Sequence, residues 1–452
     1  MENSIQKDLT KKEMRKKIYG MILPVSMENV LQMLAGFVAM AMIGRISTVA
    51  IASVGLSIRI TQIVWGLFKG IATGSTIYVA QAYGAHDYKK LKSVVQQSLL
   101  SVIILVIAIQ AMIFWKAELL IGWLGAKGLL LENGALYLRT VSFGLPFMAI
   151  MLVVAGVLQG MGNAKTPMKI ALIMNAVNVL VSYLLIYGNF GFPPMGIRGS
   201  AIATAIAQFV GAMAGLYVLF GKGGPLYRMV RRSFFSFDRN RIFEIYKMGM
   251  PSAWEIIFWQ LCTILLTKLI LQFGEVALAA HQLGLQAESI SYMPAVGFSL
   301  ASTAFIGQAI GAKDLVQGKK YVNEILKGSV FLTSFSVVVL FFFPSKVMAL
   351  LTNQQEVIDL GVKYLVLMAL VQIPQNIAGV LNGALRGAGF TRIPMIVAGT
   401  GLWLIRLPVA YILSVHFHLN VIGVWIAITI DQLCRFIISC VLFKKKNIYG
   451  MD

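Results

Sequence analysis

Charge is scarce in this chain. Asp, Glu, Lys and Arg make up 13% of the 452 residues and hydrophobic residues 58%. Soluble domains carry about a quarter charged and about half apolar residues, so an ordinary water-soluble fold is excluded. Acidic residues are scarcer than basic ones, 18 against 39 Lys and Arg. Cysteine is nearly missing: Cys262, Cys434 and Cys440 all sit in apolar runs without metal-ligand spacing, so they read as packing residues rather than a disulfide framework. The chain has no Gly-x-x-x-x-Gly-Lys-Ser/Thr phosphate loop, so ATP does not drive it directly, and no His-Glu-x-x-His or Gly-x-Ser-x-Gly constellation that would mark an enzyme. His416 and His418 are a weak metal signal without further ligands. Neither a metal nor a cofactor is expected.

What fills the chain instead is a series of apolar runs, near 18–43, 48–82, 93–115, 135–160, 168–189, 196–220, 250–273, 276–309, 323–343, 360–385, 395–415 and 421–443. Each is long enough to cross about 30 Å of hydrocarbon at about 1.5 Å per residue. Lipid offers no partner to an unpaired backbone group, and runs of this length without period-two alternation are helices rather than barrel strands. The net charge of +21 is topological: 27 of the 39 Lys and Arg fall in the two termini and the even-numbered loops, and seven in the odd ones. The contributors include Lys7, Lys11, Lys12, Arg15, Lys16 and Lys17 at the start, and Lys222, Arg228, Arg231, Arg232, Arg239, Arg241 and Lys247 at mid-chain. That asymmetry predicts both termini in the cytoplasm of a cell membrane, and no nucleic-acid partner. The first run is full length and lacks a small-residue cleavage pattern, so it reads as a span rather than a signal peptide.

Shifted against itself by half its length, the chain matches itself at a constant offset. Pro24 falls on Pro251, Glu28 on Glu255, Gly70 on Gly297 and Ser75-Thr76 on Ser302-Thr303. The segment Gln81-Ala82-Tyr83-Gly84-Ala85-His86-Asp87 falls on Gln308-Ala309-Ile310-Gly311-Ala312-Lys313-Asp314, and later Gly160 falls on Gly387, Pro167 on Pro394 and Gly196 on Gly423. Chance in apolar sequence yields scattered Leu and Val, not ordered Gly, Pro, Gln, Asp and Glu. The expected fold is an all-α membrane protein: twelve transmembrane helices in two six-helix bundles related by a pseudo-two-fold axis along the membrane normal, since an even number of spans starts both copies on one side. Its organisation reads as an N-terminal segment 1–17, a first lobe 18–220, a linker 221–247, a second lobe 248–443 and a tail 444–452.

At Leu23-Pro24 with Glu28, Ile43-Gly44-Arg45, Gln81-Ala82-Tyr83-Gly84-Ala85 and its copy at Gln308, Ala279-Ala280-His281-Gln282, and the paired turns Gln159-Gly160-Met161-Gly162-Asn163 and Leu385-Arg386-Gly387-Ala388-Gly389, the chain resembles the multidrug and toxic compound extrusion (MATE) family over essentially its whole length. The resemblance implies a cation-coupled exporter of two six-helix lobes. It also implies departures. The aspartate that many relatives carry five residues before the glycine matched by Gly44 is Ala39 here, a carboxylate of the tenth span falls on Gln375, and the glutamate of the seventh span lies one turn deeper than Glu255, nearer Trp259. The family's usual cation site is incomplete in this chain.

Four acids lie well inside spans: Glu28, Glu255, Glu288 and Asp431. An intramembrane carboxylate costs about 3 kcal/mol or more to insert, so each is a candidate for carrying H+ or Na+. Glu28 and Glu255 are repeat mates, read either as a symmetric pair at the cleft or as braces for the Pro24 and Pro251 breaks. Arg59 and Arg406 are deep enough to need partners, with Glu288 and Asp431 the candidates, or else line a substrate path; Lys69 and Lys268 are expected near helix ends, reaching the interface. Gln32, Trp65, Trp254, Trp259, Gln282 and Gln286 are candidate substrate contacts, with interhelical bonding or packing as their other reading. The leading functional reading is a secondary antiporter, acting as a monomer amid membrane lipid, that exports small amphipathic organic compounds for H+ or Na+. The alternatives are a flippase or exporter of lipid-linked or anionic metabolites and, outside transport, a membrane-embedded transferase.

Overall fold

The computed structural model describes residues 11–227 and 236–446; Lys7, Arg228, Arg231 and Arg232 of the charge pattern lie outside them. Fifteen α-helices follow in order: α1 Lys11–Gly44, α2 Thr48–Gly84, α3 Tyr88–Trp123, α4 Leu129–Ser142, α5 Leu145–Gly160, α6 Lys165–Tyr187, α7 Gly196–Phe220, α8 Arg239–Leu271, α9 Glu275–Gly311, α10 Leu315–Phe342, α11 Pro344–Ala349, α12 Gln355–Gly387, α13 Arg392–Gly399, α14 Leu407–Tyr411 and α15 Asn420–Lys445. α13 and α14 are joined by a π turn, Thr400–Arg406, and a second, Ile412–His416, completes one continuous span from Arg392. Among the described residues, eleven helices are long and apolar enough to cross a membrane, and α4 with α5, bent by 51°, makes a twelfth span. Pro146 near the start of α5 brings no N–H to the break and favours it. α8 begins at Arg239, so the stretch read as a linker is helical over its second part.

The duplication is visible in the contacts. The turns after α2 and α9 are the same turn twice: His86 (φ 53°) and Lys313 (φ 56°) both stand in the left-handed region, and Asp87 and Asp314 both cap the next helix, accepting from the Lys90 and Gln317 amides at 2.9 Å. Gly134 packs on Ile121 as its repeat mate Gly361 packs on Met348, itself the mate of Ile121. The register changes only in the last span. Gly423 packs on the Leu413 backbone as Gly199, not Gly196, packs on that of Leu185. The expected match of Gly196 with Gly423 is therefore corrected to Gly199. The physical reason is loop length: the connection before α7 holds residues 188–195 and that before α15 only 417–419, partly offset by a longer eleventh span.

Each lobe has its own apolar core, one spanning α2 to α7 and one spanning α8, α9, α12 and α15. A third core crosses the boundary, joining Met14, Ile18, Met21, Ile22 and Val25 at the start of α1 to Phe298, Phe305 and Ile306 of α9, Ile325 of α10 and Val380 of α12. The start of α8 does the reverse, placing Ile245 in the first lobe's core. Reciprocal polar contacts lock this side. Gln97 on α3 donates to the Ser236 carbonyl at 2.8 Å and accepts from the Asp238 amide at 3.1 Å, while its repeat mate on α10, Glu324, pairs with Arg15 of α1 at 2.8 Å. On α2, Gly70 abuts Ala253 of α8, and its mate Gly297 abuts Ile22 and Ser26 of α1, because missing side chains let the crossing helices approach. Repeat mates that each reach into the opposite lobe are what a two-fold relation between the lobes requires.

Candidate functional site: a neutral cavity and its charged counterpart

A cavity of about 340 Å³ lies inside the first lobe, walled by α1, α2, α4, α5, α6 and α7. Its polar lining is built from amides and hydroxyls: Gln32, Gln62, Asn175, Asn178 and Gln208, with Thr61, Tyr137, Ser200 and Thr204. Met40, Met148, Met174 and Trp65 supply apolar wall. Among the described residues, none lining this cavity is Asp, Glu, Lys or Arg, and Ala39 is one of the wall residues. Asn178 Nδ2 donates to Thr204 Oγ1 at 3.3 Å, whereas Asn175 Nδ2 and Gln208 Oε1 are buried without a protein hydrogen-bond partner.

The same place in the second lobe is charged. The repeat mates of Thr61, Trp65 and Tyr137 are Glu288, Tyr292 and Tyr364. Glu288 is buried on α9, where Tyr364 donates its hydroxyl at 2.6 Å and Gln372 Nε2 donates at 3.0 Å from α12. The Tyr364 ring stands edge-on to His281 (5.6 Å) and to Trp425 (5.3 Å), which holds its hydroxyl in place. Asp431 of α15 is fully buried: Arg406 Nε and Nη2 approach its Oδ2 at 2.8 and 2.6 Å, and Arg435 Nη2 reaches the same oxygen at 2.9 Å. A Cβ on Gly401, in the π turn that ends at Arg406, would strike Asp431 and Arg435, so only glycine lets the cluster close. Glu255 of α8 accepts two bonds from Arg386 Nη2, at 2.7 and 2.9 Å. Three carboxylates thus stand beside three guanidiniums. Tyr292, one turn beyond Glu288 on α9, is 47% exposed.

Several expectations are corrected by this geometry. Arg406 is held by Asp431 and only 6% exposed, and Asp431 faces both Arg406 and Arg435, so these charges are paired with one another rather than with Arg59 or Glu288. Arg59 is paired neither with Glu288 nor with Asp431; it stands exposed on α2 and makes no ion pair among the described residues. Lys69 is not near an end: it lies midway along α2, where its charge acts on Glu28. The repeat mates Glu28 and Glu255 are not equivalent. Arg386 grips Glu255, but its counterpart in the first lobe is Gln159, and Glu28 Oε2 is buried with no hydrogen-bond partner. Neither helix breaks at its proline, so Glu255 is no brace for Pro251.

The remaining candidates divide. Gln32 and Trp65 line the first-lobe cavity. Trp254 and Trp259 are each 46% exposed on α8, Trp254 lying 5.9 Å from Phe258, and Gln282 and Gln286 are exposed on α9. Tyr364, Gln372 and Arg386 are site residues that sequence reasoning missed. Tyr364 has a sequence signal, since it repeats Tyr137, and Gln372 is a polar residue inside the tenth apolar run, with Gln375 and Asn376 close after it; Arg386 shows in the sequence only as part of a turn.

The MatE family model matches residues 24–184 and 251–412, one match in each lobe, and the two matches start at the repeat mates Pro24 and Pro251. A probable multidrug resistance protein NorM of Thermotoga maritima is 31% identical over 95% of this chain and 92% of its own length. A probable multidrug resistance protein YoeA of Bacillus subtilis is 26% identical over 99% of both. Among solved structures, a crystal structure of MATE in complex with MaL6 superposes with a TM-score of 0.89 at 21% identity, covering 96% of each chain. A Pyrococcus furiosus transporter of the MOP superfamily, reported with a binding pocket of reverse polarity, gives a TM-score of 0.88 at 21% identity over 96% of each chain. Two duplicated six-span lobes, two family matches in register with them, and relatives aligned from end to end make this chain a member of the MatE (multidrug and toxic compound extrusion) family of membrane transporters, not an enzyme.

Proposed function

We propose that this transporter is a secondary antiporter of the cell membrane, with both termini cytoplasmic, that works as a monomer and exports amphipathic organic compounds in exchange for H+ or Na+ by alternating access between its lobes. The observation that carries the reading is Glu288. It is buried between neutral donors, Tyr364 and Gln372, and is in no ion pair among the described residues. Taking on and giving up a cation at Glu288 breaks no salt bridge, whereas at Glu255 or Asp431 it would strand an arginine. Glu28, without a hydrogen bond at Oε2, is the second candidate. Export of anionic metabolites has weaker support, because Arg386, Arg406 and Arg435 are already held by carboxylates.

The test is reconstitution in liposomes with an imposed proton or sodium gradient, reading ethidium efflux together with cation movement. Glu288→Gln should lower gradient-driven efflux at least tenfold while the protein stays folded, because a glutamine carbonyl still accepts from Tyr364. Undiminished coupling in Glu288→Gln and in Glu28→Gln would overturn the carboxylate reading.

A further inference from the structure

Where the last span leaves the membrane, four cations stand together. α15 ends in Lys444 and Lys445 and is capped by Lys446, and all three are exposed. Lys446 Nζ lies 5.4 Å from the centre of the Phe390 ring, which sets the end of α15 beside the turn between α12 and α13. Two residues past Phe390, the exposed Arg392 opens α13. Among the described residues none of the four is in an ion pair, whereas Arg386, Arg406 and Arg435, inside the same lobe, each face a carboxylate. Like charges held side by side repel, so the cluster calls for an anion. Farther into the membrane the same helices are apolar and exposed: Val441 and Ile437 lie one and two turns before Lys445 on α15, and Ile396 one turn after Arg392 on α13. α13 packs beside α15, so the cations and these apolar side chains belong to one stretch of surface.

We propose that this surface is a binding site for an anionic phospholipid, whose phosphate lies among Arg392, Lys444, Lys445 and Lys446 and whose acyl chains run along Ile396, Ile437 and Val441. A free phosphate would meet the cations alone; a lipid uses both halves of the surface. The sidedness rule asks for basic residues on this face of the membrane but not for a cluster, and the repeat shows the difference. In the register that sets Gly423 on Gly199, Lys444, Lys445 and Lys446 fall on Phe220, Gly221 and Lys222, while Phe390 falls on Asn163 and Arg392 on Lys165. The first lobe thus lacks both the lysine triad and the ring. Its chain turns back on itself instead, with Gly224 against the Val218 and Leu219 carbonyls and Leu226 fully buried. The α12–α13 turn beneath the cluster begins at Gly387, whose carbonyl accepts from Gln81 across the lobe boundary at 3.1 Å, so the lipid rests against a joint between the lobes. The site is independent of what the transporter carries and of which ion it exchanges.

The experiment is native mass spectrometry of the full-length protein in detergent, titrated with dioleoylphosphatidylglycerol or dioleoylphosphatidylcholine and reading the first lipid bound. The anionic lipid is expected to bind about tenfold or more tightly than the zwitterionic one. Arg392→Gln with Lys444→Gln, Lys445→Gln and Lys446→Gln should weaken the anionic lipid by about tenfold or more at an unchanged melting temperature, because all four side chains are exposed. Lys444→Arg with Lys445→Arg and Lys446→Arg should keep the binding, since the charge is kept. Lys89→Gln with Lys90→Gln and Lys92→Gln, at a different basic turn, should leave it within about twofold. Glycerol 1-phosphate at millimolar concentration should not displace the lipid. Equal affinity for the two lipids, undiminished binding in the variant with four glutamines, or displacement by glycerol 1-phosphate overturns the proposal.

Discussion

The side-chain amide of Gln308, in the second lobe, donates to the main-chain carbonyl of Gly160 in the first at 2.8 Å. Its repeat mate Gln81 returns the bond to Gly387 at 3.1 Å. The pair closes the boundary on the side where α2 and α9 end, and it joins the α5 and α12 ends to the opposite lobe. An alternating-access cycle must break both bonds together.

Removing both should loosen that side. Each hydrogen bond is worth about 1 kcal/mol, so Gln81→Ala with Gln308→Ala should shift the equilibrium toward a state open on that side by about 2 kcal/mol, roughly 30-fold. The measurement is the distance between spin labels at positions 86 and 313, in a background where Cys262, Cys434 and Cys440 are replaced by Ala. A distance distribution identical to that of the parent would contradict the latch.

A larger side chain at Gly311 should do the same by sterics. A Cβ there would collide with the Gln81 carbonyl, while one at Gly36 meets nothing within 4 Å. Gly311→Val should widen the same label distance and lower the melting temperature. Gly36→Ala, which trades a poor helix former for a good one, should leave the protein as stable or more stable by about 0.5–1 kcal/mol. Thermal unfolding followed by tryptophan fluorescence compares the two.

Asp431 faces two arginines, the buried Arg406 and the half-buried Arg435, and Asp431→Asn should cost about 3–5 kcal/mol of stability because both guanidiniums lose this partner at once. Removing the whole cluster as Arg406→Leu, Asp431→Leu and Arg435→Leu should recover most of that loss. A triple variant less stable than Asp431→Asn would mean the cluster does more than balance itself.

Arg386 and Glu255 should behave as a pair as well. Arg386→Met leaves the carboxylate in its partly buried place, and Glu255→Gln leaves the guanidinium there, so each single change should destabilise by about 1–3 kcal/mol. The double variant should fall short of the sum, with an interaction energy of at least about 1 kcal/mol in a double-mutant cycle. Additive losses would show that the two side chains do not depend on each other.

The fold was legible because its signals are periodic or repeated. Twelve runs long enough to span, and an ordered match at a constant offset, specify two like-oriented lobes without reference to any contact. The candidate site was legible only in its parts. Glu28, Glu255, Glu288 and Asp431 stand out as costly wherever they point, and Gln32 and Trp65 stand out as polar and aromatic positions that do share one chamber wall. Their partners were not readable: helical spacing says which side chains share a face of one helix, but not which neighbouring helix that face meets. So Arg386, in a turn motif near the end of α12, gives no sign of being the partner of Glu255, and Arg59 reads as needing a partner when it stands exposed.

By itself the sequence determined that this protein lives in lipid, that it is duplicated, and that a handful of charges inside the spans require an explanation. Only the tertiary structure decided which of those charges cancel. Asp431 and Arg406 lie 25 residues apart on separate spans, and Glu255 and Arg386 lie 131 apart. Whether such groups meet depends on the rotation and lateral packing of helices, which no local pattern encodes. Once those pairs are made, Glu288 remains the buried acid held by neutral donors alone, and its counterpart in the other lobe is the uncharged wall of a cavity.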